Sequence, residues 1–165
     1  MSRAVIAIGS NVGDRLAHLQ SAVDGFRDVL VTVSPVYETA PWGGITQEDF
    51  LNAVLIAEDP AAAPTDWLKR ANELELARAR VREVRWGPRT LDVDVVTVRD
   101  EHGDVRSDDP LLTLPHPRAH ERGFVLVPWL AADPQAQLAG HGAVADLVAR
   151  LQATGVIRRD ELELS

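Results

Sequence analysis

The 165-residue chain has no cysteine, which excludes disulfides, thiol nucleophiles and cysteine-based metal sites. Positive charge is scarce: the net charge is −8, which argues against non-specific binding of a polyanion such as nucleic acid. Of the 17 basic residues only Lys69 is lysine, a bias attributed to genome composition rather than to function. No apolar run approaches membrane-spanning length. The start, "MSRAVIAIGSN", enters a strand directly and lacks the long apolar stretch and cleavage site of a signal peptide, so a cytoplasmic location is expected. Internal repeats and low-complexity segments are missing, and no linker is long or polar enough to mark a second domain. One domain over residues 1–165 is expected.

What is present has the ordinary balance of a globular protein, 45% apolar and 25% charged. "AVIAI" (4–8) is a short continuous apolar run that predicts a strand buried on both faces. "GSNVGD" follows as a turn with Asp14 as N-cap. Leu16, Leu19, Val23, Phe26 and Leu30 then recur at helical spacing. "VLVTVSPVYE" reads as a second strand, with Pro35 marking an edge or a bulge, and Phe50 to Ala57 as a third. Pro64, Thr65 and Asp66 start a second helix, whose apolar face is Trp67, Leu68, Ala71 and Leu74. Leu91 to Val98 is the fourth strand.

That order, β-α-β-β-α-β, predicts an α+β, ferredoxin-like, four-stranded antiparallel sheet with two helices on one face. The other face is expected to be free for a ligand or partner. The remainder reads as a C-terminal extension: an acidic hairpin at 100–109, short helices over 124–132 and 143–151, and a weak strand near Val156.

Two connections are long for a compact domain, "ETAPWGGITQED" and "RVREVRWGPRT", and such loops are usually functional or disordered. Trp42 and Trp86 sit at their centres. In the fourth strand, period 2 puts Asp92 and Asp94 on one face and Leu91, Val93 and Val95 on the other. Taken alone, this DxD reads more readily as two carboxylates facing water than as a metal site. Its neighbourhood shifts that balance. Residues 78–89 hold Arg78, Arg80, Arg82, Arg85 and Arg89 against the single acid Glu83, a local charge of +4. Arginine forks suit phosphates, and paired carboxylates suit Mg²⁺ bridged to phosphates. Together they are the parts of a phosphoryl-type transfer site. No G-x-x-x-x-G-K-S/T run is present, so this is not a P-loop enzyme.

The third strand places Phe50 and Asn52 on one face, with Val54 and Ile56 beyond them. An aromatic beside an amide suits a flat, hydrogen-bonding heterocycle, although a buried aromatic is more often plain core. Asn72 and Glu75 lie one turn apart on the second helix, where simple surface polarity is the alternative. In "LPHPRAHERGFVL", His116 is flanked by prolines that fix its backbone. A lone histidine is more often structural than catalytic, and His120 reads as a surface residue.

"IAIGSN", "FLNAV", "RWGPRTLDVD" and "LPHPRAHERGFVL", in this order and spacing over about residues 4–130, resemble the 6-hydroxymethyl-7,8-dihydropterin pyrophosphokinase family of folate biosynthesis. The resemblance implies transfer of pyrophosphate from ATP to the pterin hydroxymethyl group with release of AMP. Asp92 and Asp94 would hold two Mg²⁺ ions, and Arg80 and Arg89 would stabilise the transferring group. Asn52 would hydrogen-bond the pterin between Phe50 and Phe124, with Trp86 closing over it and Thr39, Pro41 and Trp42 bordering it. Asn72, Glu75, Arg82, Arg85, Thr113, His116 and Arg122 would serve ATP. The implied partners are the two small substrates, with no nucleic acid and no membrane, acting on a monomer.

Three positions depart from the family's usual pattern: Ala79 stands for Gly, Asn72 for Gln, and Phe50 for Tyr. Two other readings remain open, a metal-dependent nucleotidyltransferase that releases pyrophosphate and a ferredoxin-like binding module without catalysis.

Overall fold

The computed structural model describes residues 1–40, 49–79, 90–153 and 155–165. The apolar run at the N-terminus becomes β1 (Ser2–Ser10), buried on both faces as its composition demands. Ala4, Ile6 and Ile8 point into one core, and Val5 and Ala7 into another. A turn through Gly13, at φ +68°, leads to α1 (Arg15–Gly25). Asp14 caps that helix, its carboxylate accepting from the Ala17 amide at 3.1 Å, a bond worth about 1 kcal/mol.

The segment expected to form one second strand divides into β2 (Leu30–Val33) and β3 (Tyr37–Thr39). Pro35 has no N–H for a ladder, and Ser34 repairs the break. The Ser34 amide donates to the Val54 carbonyl and its hydroxyl accepts from the Val54 amide, both at 2.9 Å. Both strands pair with β4 (Phe50–Asp59), which also pairs with β1. Next come α2 (Pro64–Ala79), β5 (Asp92–Asp100), paired with β1, and the short β6 (Gly103–Asp104), which closes the acidic hairpin. β7 (Ser107–Asp109) and β8 (Leu112–Leu114) form a ribbon. After α3 (Gly123–Ala132), β9 (Gln137–Leu138), β10 (Gly142–Ala143) and α4 (Val144–Leu151), the weak strand near Val156 appears as β11 (Ile157–Arg158).

The β-α-β-β-α-β order is therefore present, but the sheet is wider than four strands. Among the described residues it has seven, ordered β11-β3-β4-β1-β5-β6 with β2 also on β4. On one face α1 and α2 bury Leu19, Val23, Phe26, Trp67 and Ala71 against the sheet. Trp67 is fully buried and its indole N–H donates to the Ser2 hydroxyl at 2.8 Å, so the polar end of the largest core side chain is satisfied.

The second face is not left free, contrary to the expectation from element order. Val125, Leu126 and Trp129 of α3, with Val144 and Leu147 of α4, cover Val5, Ala7, Val54, Ile56 and Val96. Those sheet residues are apolar on both faces, and an uncovered second face would have left them in water. What remains accessible is the end of the sheet carrying Asp92 and Asp94. Among the described residues no helix is long and apolar enough to cross a membrane.

Candidate active site

The register of β1 against its two neighbours builds the site. Gly9 is opposite Asn52 of β4 on one side and Asp92 of β5 on the other, and Ala7 is opposite Asp94. Directly opposed residues of antiparallel strands share a face, so the amide and both carboxylates stand on one face of three adjacent strands. Val93 and Val95 point the other way into the α1–α2 core, as the alternation predicts. Asp92 is half-buried and Asp94 exposed. The residues opposite them are a glycine and an alanine, which leave room above the strand.

Gly9 is glycine for a steric reason. A Cβ there would lie 3.0 Å from Asn52 Oδ1 and 3.6 Å from the Leu51 carbonyl, closer to the amide than side chains normally pack. Asn52 itself is buried, and its Nδ2 donates to Thr39 Oγ1 at 2.9 Å. That single bond fixes the amide's orientation and joins Thr39 and Asn52, the two polar residues expected around one ligand.

Glu75 of α2 accepts from the Val93 amide at 3.3 Å, on the edge of β5 between the two aspartates. It docks α2 onto the strand that carries them. Asn72, one turn earlier, is exposed. β5 bulges at Val96, since Val95 pairs with Ile6 and Thr97 with Val5. The Val96 carbonyl accepts from the His116 amide at 2.8 Å, so the bulge anchors the histidine segment beside the strand. The half-buried His116 has Nδ1 occupied, accepting from the Arg118 amide at 3.3 Å. Its neutral form therefore carries the proton on Nε2, which is left to donate. Burial, and then the Arg122 charge, hold its pKa below the usual histidine value against the opposing pull of Asp94. His116 thus sits in the electrostatic field of both an expected phosphate ligand and an expected metal ligand.

The Arg122 guanidinium lies over the Phe124 ring, 5.6 Å from its centroid, a cation–π contact that fixes the arginine's plane. Thr113 uses its hydroxyl to donate to the Asp109 carbonyl at 3.0 Å, closing the β7–β8 turn. Phe50 opens β4 and is half-buried. Pro41, Trp42, Arg80, Arg82, Arg85, Trp86 and Arg89 lie outside the described residues. His120 departs from its reading as a surface residue: it is half-buried, with Nδ1 enclosed, and it stacks on His141 at 4.1 Å.

Sequence reading missed His18, a buried residue of α1 whose Nδ1 accepts from Arg78 Nε at 2.9 Å. Helical spacing offered no signal, because the contact joins residues 60 positions apart. Burial first, then Arg78, push the His18 pKa below its ordinary value, with Asp14 pulling the other way. A depressed histidine binds protons more weakly folded than unfolded, so stability is complete above the unfolded pKa and is lost as pH falls through the folded one. The melting temperature should therefore drop as pH is lowered from 7 to 5. His18→Gln, which retains an acceptor for Arg78, should flatten that slope. A slope unchanged in the variant would remove His18 from the account.

Among the described residues no group of three or more His, Asp or Glu side chains is placed to hold a metal. Asp92 and Asp94, on one face of β5, are hard oxygen donors of the kind a divalent cation takes. That donor set suits Mg²⁺, commonly held by one or two carboxylates together with substrate phosphates.

Comparison with known proteins gives the chain's relatives. The family profile described as 7,8-dihydro-6-hydroxymethylpterin-pyrophosphokinase (HPPK) matches residues 5–134. The 2-amino-4-hydroxy-6-hydroxymethyldihydropteridine pyrophosphokinase of Mycobacterium leprae is 54% identical over 163 residues, covering 93% of this chain and 85% of that protein. The protein of the same name from Mycobacterium tuberculosis is 48% identical over 169 residues, covering 99% and 90%. Among solved structures, a Plasmodium falciparum HPPK-DHPS with SDX-DHP superposes with a TM-score of 0.68 at 12% identity, over 95% of this chain and 48% of that one. This chain spans under half of that longer protein, and at such identity the likeness bears on the fold alone.

Proposed function

The chain belongs to the 7,8-dihydro-6-hydroxymethylpterin-pyrophosphokinase family, and from that membership we infer that it transfers pyrophosphate from ATP to 6-hydroxymethyl-7,8-dihydropterin in folate biosynthesis, releasing AMP. The observation that carries the reading is the pair of neighbours of Gly9. The amide suited to a heterocycle, Asn52, and the carboxylate suited to a phosphate-bound cation, Asp92, flank one residue of the central strand. An acceptor held at Asn52 and a triphosphate held at Asp92 would meet above Gly9.

In the reaction the pterin hydroxyl oxygen bonds to the β-phosphorus while the bond from that phosphorus to the α,β-bridging oxygen breaks. The bridging oxygen leaves with AMP, and the hydroxyl proton passes to solvent water. Two Mg²⁺ ions, for which Asp92 and Asp94 are the proposed protein ligands, would neutralise phosphate charge in this step. Asn52, held by Thr39, orients the pterin edge, and Phe50 and Phe124 supply stacking faces; Pro41, Trp42 and Trp86, outside the described residues, are assigned to the pterin by the family resemblance. Neutral His116 donates from Nε2, and Arg122 donates from a guanidinium whose plane Phe124 holds; both address phosphate oxygens. Glu75 steadies the backbone between the aspartates, while Asn72 and Thr113 border the nucleotide. Arg80, Arg82, Arg85 and Arg89 supply the cationic groups for the polyphosphate, which stabilise the transition state through charge and position.

We further propose that the chain acts as a monomer, a single domain over residues 1–165, in the cytoplasm. The test is AMP release from ATP and Mg²⁺ with and without the dihydropterin. AMP should appear only when the dihydropterin is present. Release that does not depend on the dihydropterin would count against the assignment.

A further inference from the structure

Behind the pterin side of the site, on the opposite face of the sheet, lies an ion network the catalytic scheme does not use. Glu38 of β3 is opposite Leu51, which faces the α1–α2 core, so Glu38 points away from Thr39 and Asn52. Its two carboxylate oxygens are held by two arginines from distant parts of the chain. Arg159 Nη1 meets Oε1 at 2.6 Å and Arg15 Nη1 meets Oε2 at 3.0 Å. The same Arg15 nitrogen donates to the Asp49 carbonyl at 2.7 Å. Thr39 follows Glu38, and Phe50 follows Asp49. This network, which Arg159 extends to Glu161, is therefore bonded immediately beside two of the β-strand residues proposed to border the pterin.

The C-terminal segment reaches the other wall as well. β11 pairs with β3, Ile157 opposite Glu38 and Arg158 opposite Tyr37, and the Arg159 amide continues the ladder to the Val36 carbonyl at 2.9 Å. Just ahead of it, Ala153 and Val156 pack so closely on Gly123 that a Cβ there would lie 3.0 Å and 3.4 Å from them. Gly123 precedes Phe124. The last part of the chain thus touches the supports of Thr39, Phe50 and Phe124.

We propose that Arg159 is a positioning residue for the pterin subsite, which through Glu38 and Arg15 holds β3 and the start of β4 at the spacing that lets Thr39, Phe50 and Asn52 grip one ring. The proposal rests on the pyrophosphokinase reading of the site. It gives Arg159 a role in acceptor recognition and none in ATP binding, because Asp92, Asp94 and His116 lie on or beside β5, across β1 from this network.

The experiment is steady-state kinetics of Arg159→Ala in the full chain with both substrates varied. The KM for the dihydropterin should rise about fivefold, the scale of one well-placed ion pair, while kcat and the KM for ATP stay within about twofold. Arg159→Lys, which keeps the charge, should recover most of the loss. Gln20→Ala removes hydrogen bonds to Ser165 and Asp24 and none to Glu38, Arg15 or Arg159, and it should behave like the parent. If Arg159→Ala fails to fold, Glu38→Gln removes the opposite partner of the same ion pair at nearly the same shape and should show the same split. Equal rises in both KM values, a fall in kcat alone, or an unchanged dihydropterin KM would overturn the positioning role. Inactivity of the parent chain with the dihydropterin would instead overturn the reading of the site.

Discussion

Asp94→Ala is expected to lower AMP release by on the order of a thousandfold, the scale seen when a preorganised electrostatic contact to a transition state is removed, and to leave the chain folded. Both halves of that expectation come from the position of the residue. Asp94 is exposed on β5 opposite Ala7, so its side chain contributes little packing, and surface changes of this kind usually alter stability by under about 0.5 kcal/mol. Its charge faces the place proposed for the triphosphate, where it is half of the chain's described oxygen donor set. Asp92→Asn should impair turnover comparably. Asp92 is half-buried and engaged within the fold, however, so its loss also disturbs local structure. Asp94 gives the cleaner separation of charge from stability. Melting curves measured beside the rates check it; a well-folded Asp94→Ala that retains more than about a tenth of parental turnover would contradict the assigned role.

Asn52→Ala should weaken the dihydropterin by about 10- to 100-fold, because a buried hydrogen-bonding group worth about 1–3 kcal/mol to its partner disappears. The KM for ATP should stay within about twofold, since Asn52 lies on β4, separated by β1 from the strand that carries the aspartates. The variant also leaves Thr39 Oγ1 without the donor it now has at 2.9 Å. Asn52→Asp is therefore a useful companion, close in shape but unable to donate from that position when ionised. Gly9→Ala should give a milder form of the same defect, because the new methyl would press on Asn52 Oδ1 at 3.0 Å. Substrate-by-substrate KM values distinguish these outcomes from general damage. Parallel losses for ATP and the dihydropterin would place Asn52 in the scaffold and not in recognition.

The features legible in the sequence were those with local causes. Period 2 located Asp92 and Asp94 on one face and Val93 and Val95 on the other, and helical spacing with Asp14 and Pro64 fixed where both main helices begin. Asn52 was singled out because a buried amide needs a partner, and Thr39 is that partner. Features that depend on register were not legible. Nothing in "IAIGSN" says that Gly9 will sit between Asn52 and Asp92, because strand pairing joins residues more than 40 positions apart. The bulge at Val96 depends on pairing with Val5 and Ile6, and so does the way its carbonyl holds His116. The covered second face was missed because α3 and α4 were read as an extension, although Val54, Ile56 and Val96 already required something apolar above them. No sequence pattern joins Arg159, Glu38 and Arg15; β11 brings the first of them to β3.

The central claim is that two phosphoryl groups move together from ATP to the pterin. Phosphorus NMR of a reaction run to completion with ATP, Mg²⁺ and 6-hydroxymethyl-7,8-dihydropterin tests it directly. The account predicts AMP and a pterin diphosphate in equal amounts, with free pyrophosphate absent. ADP with a pterin monophosphate, or free pyrophosphate with the adenylyl group on the pterin, would contradict it.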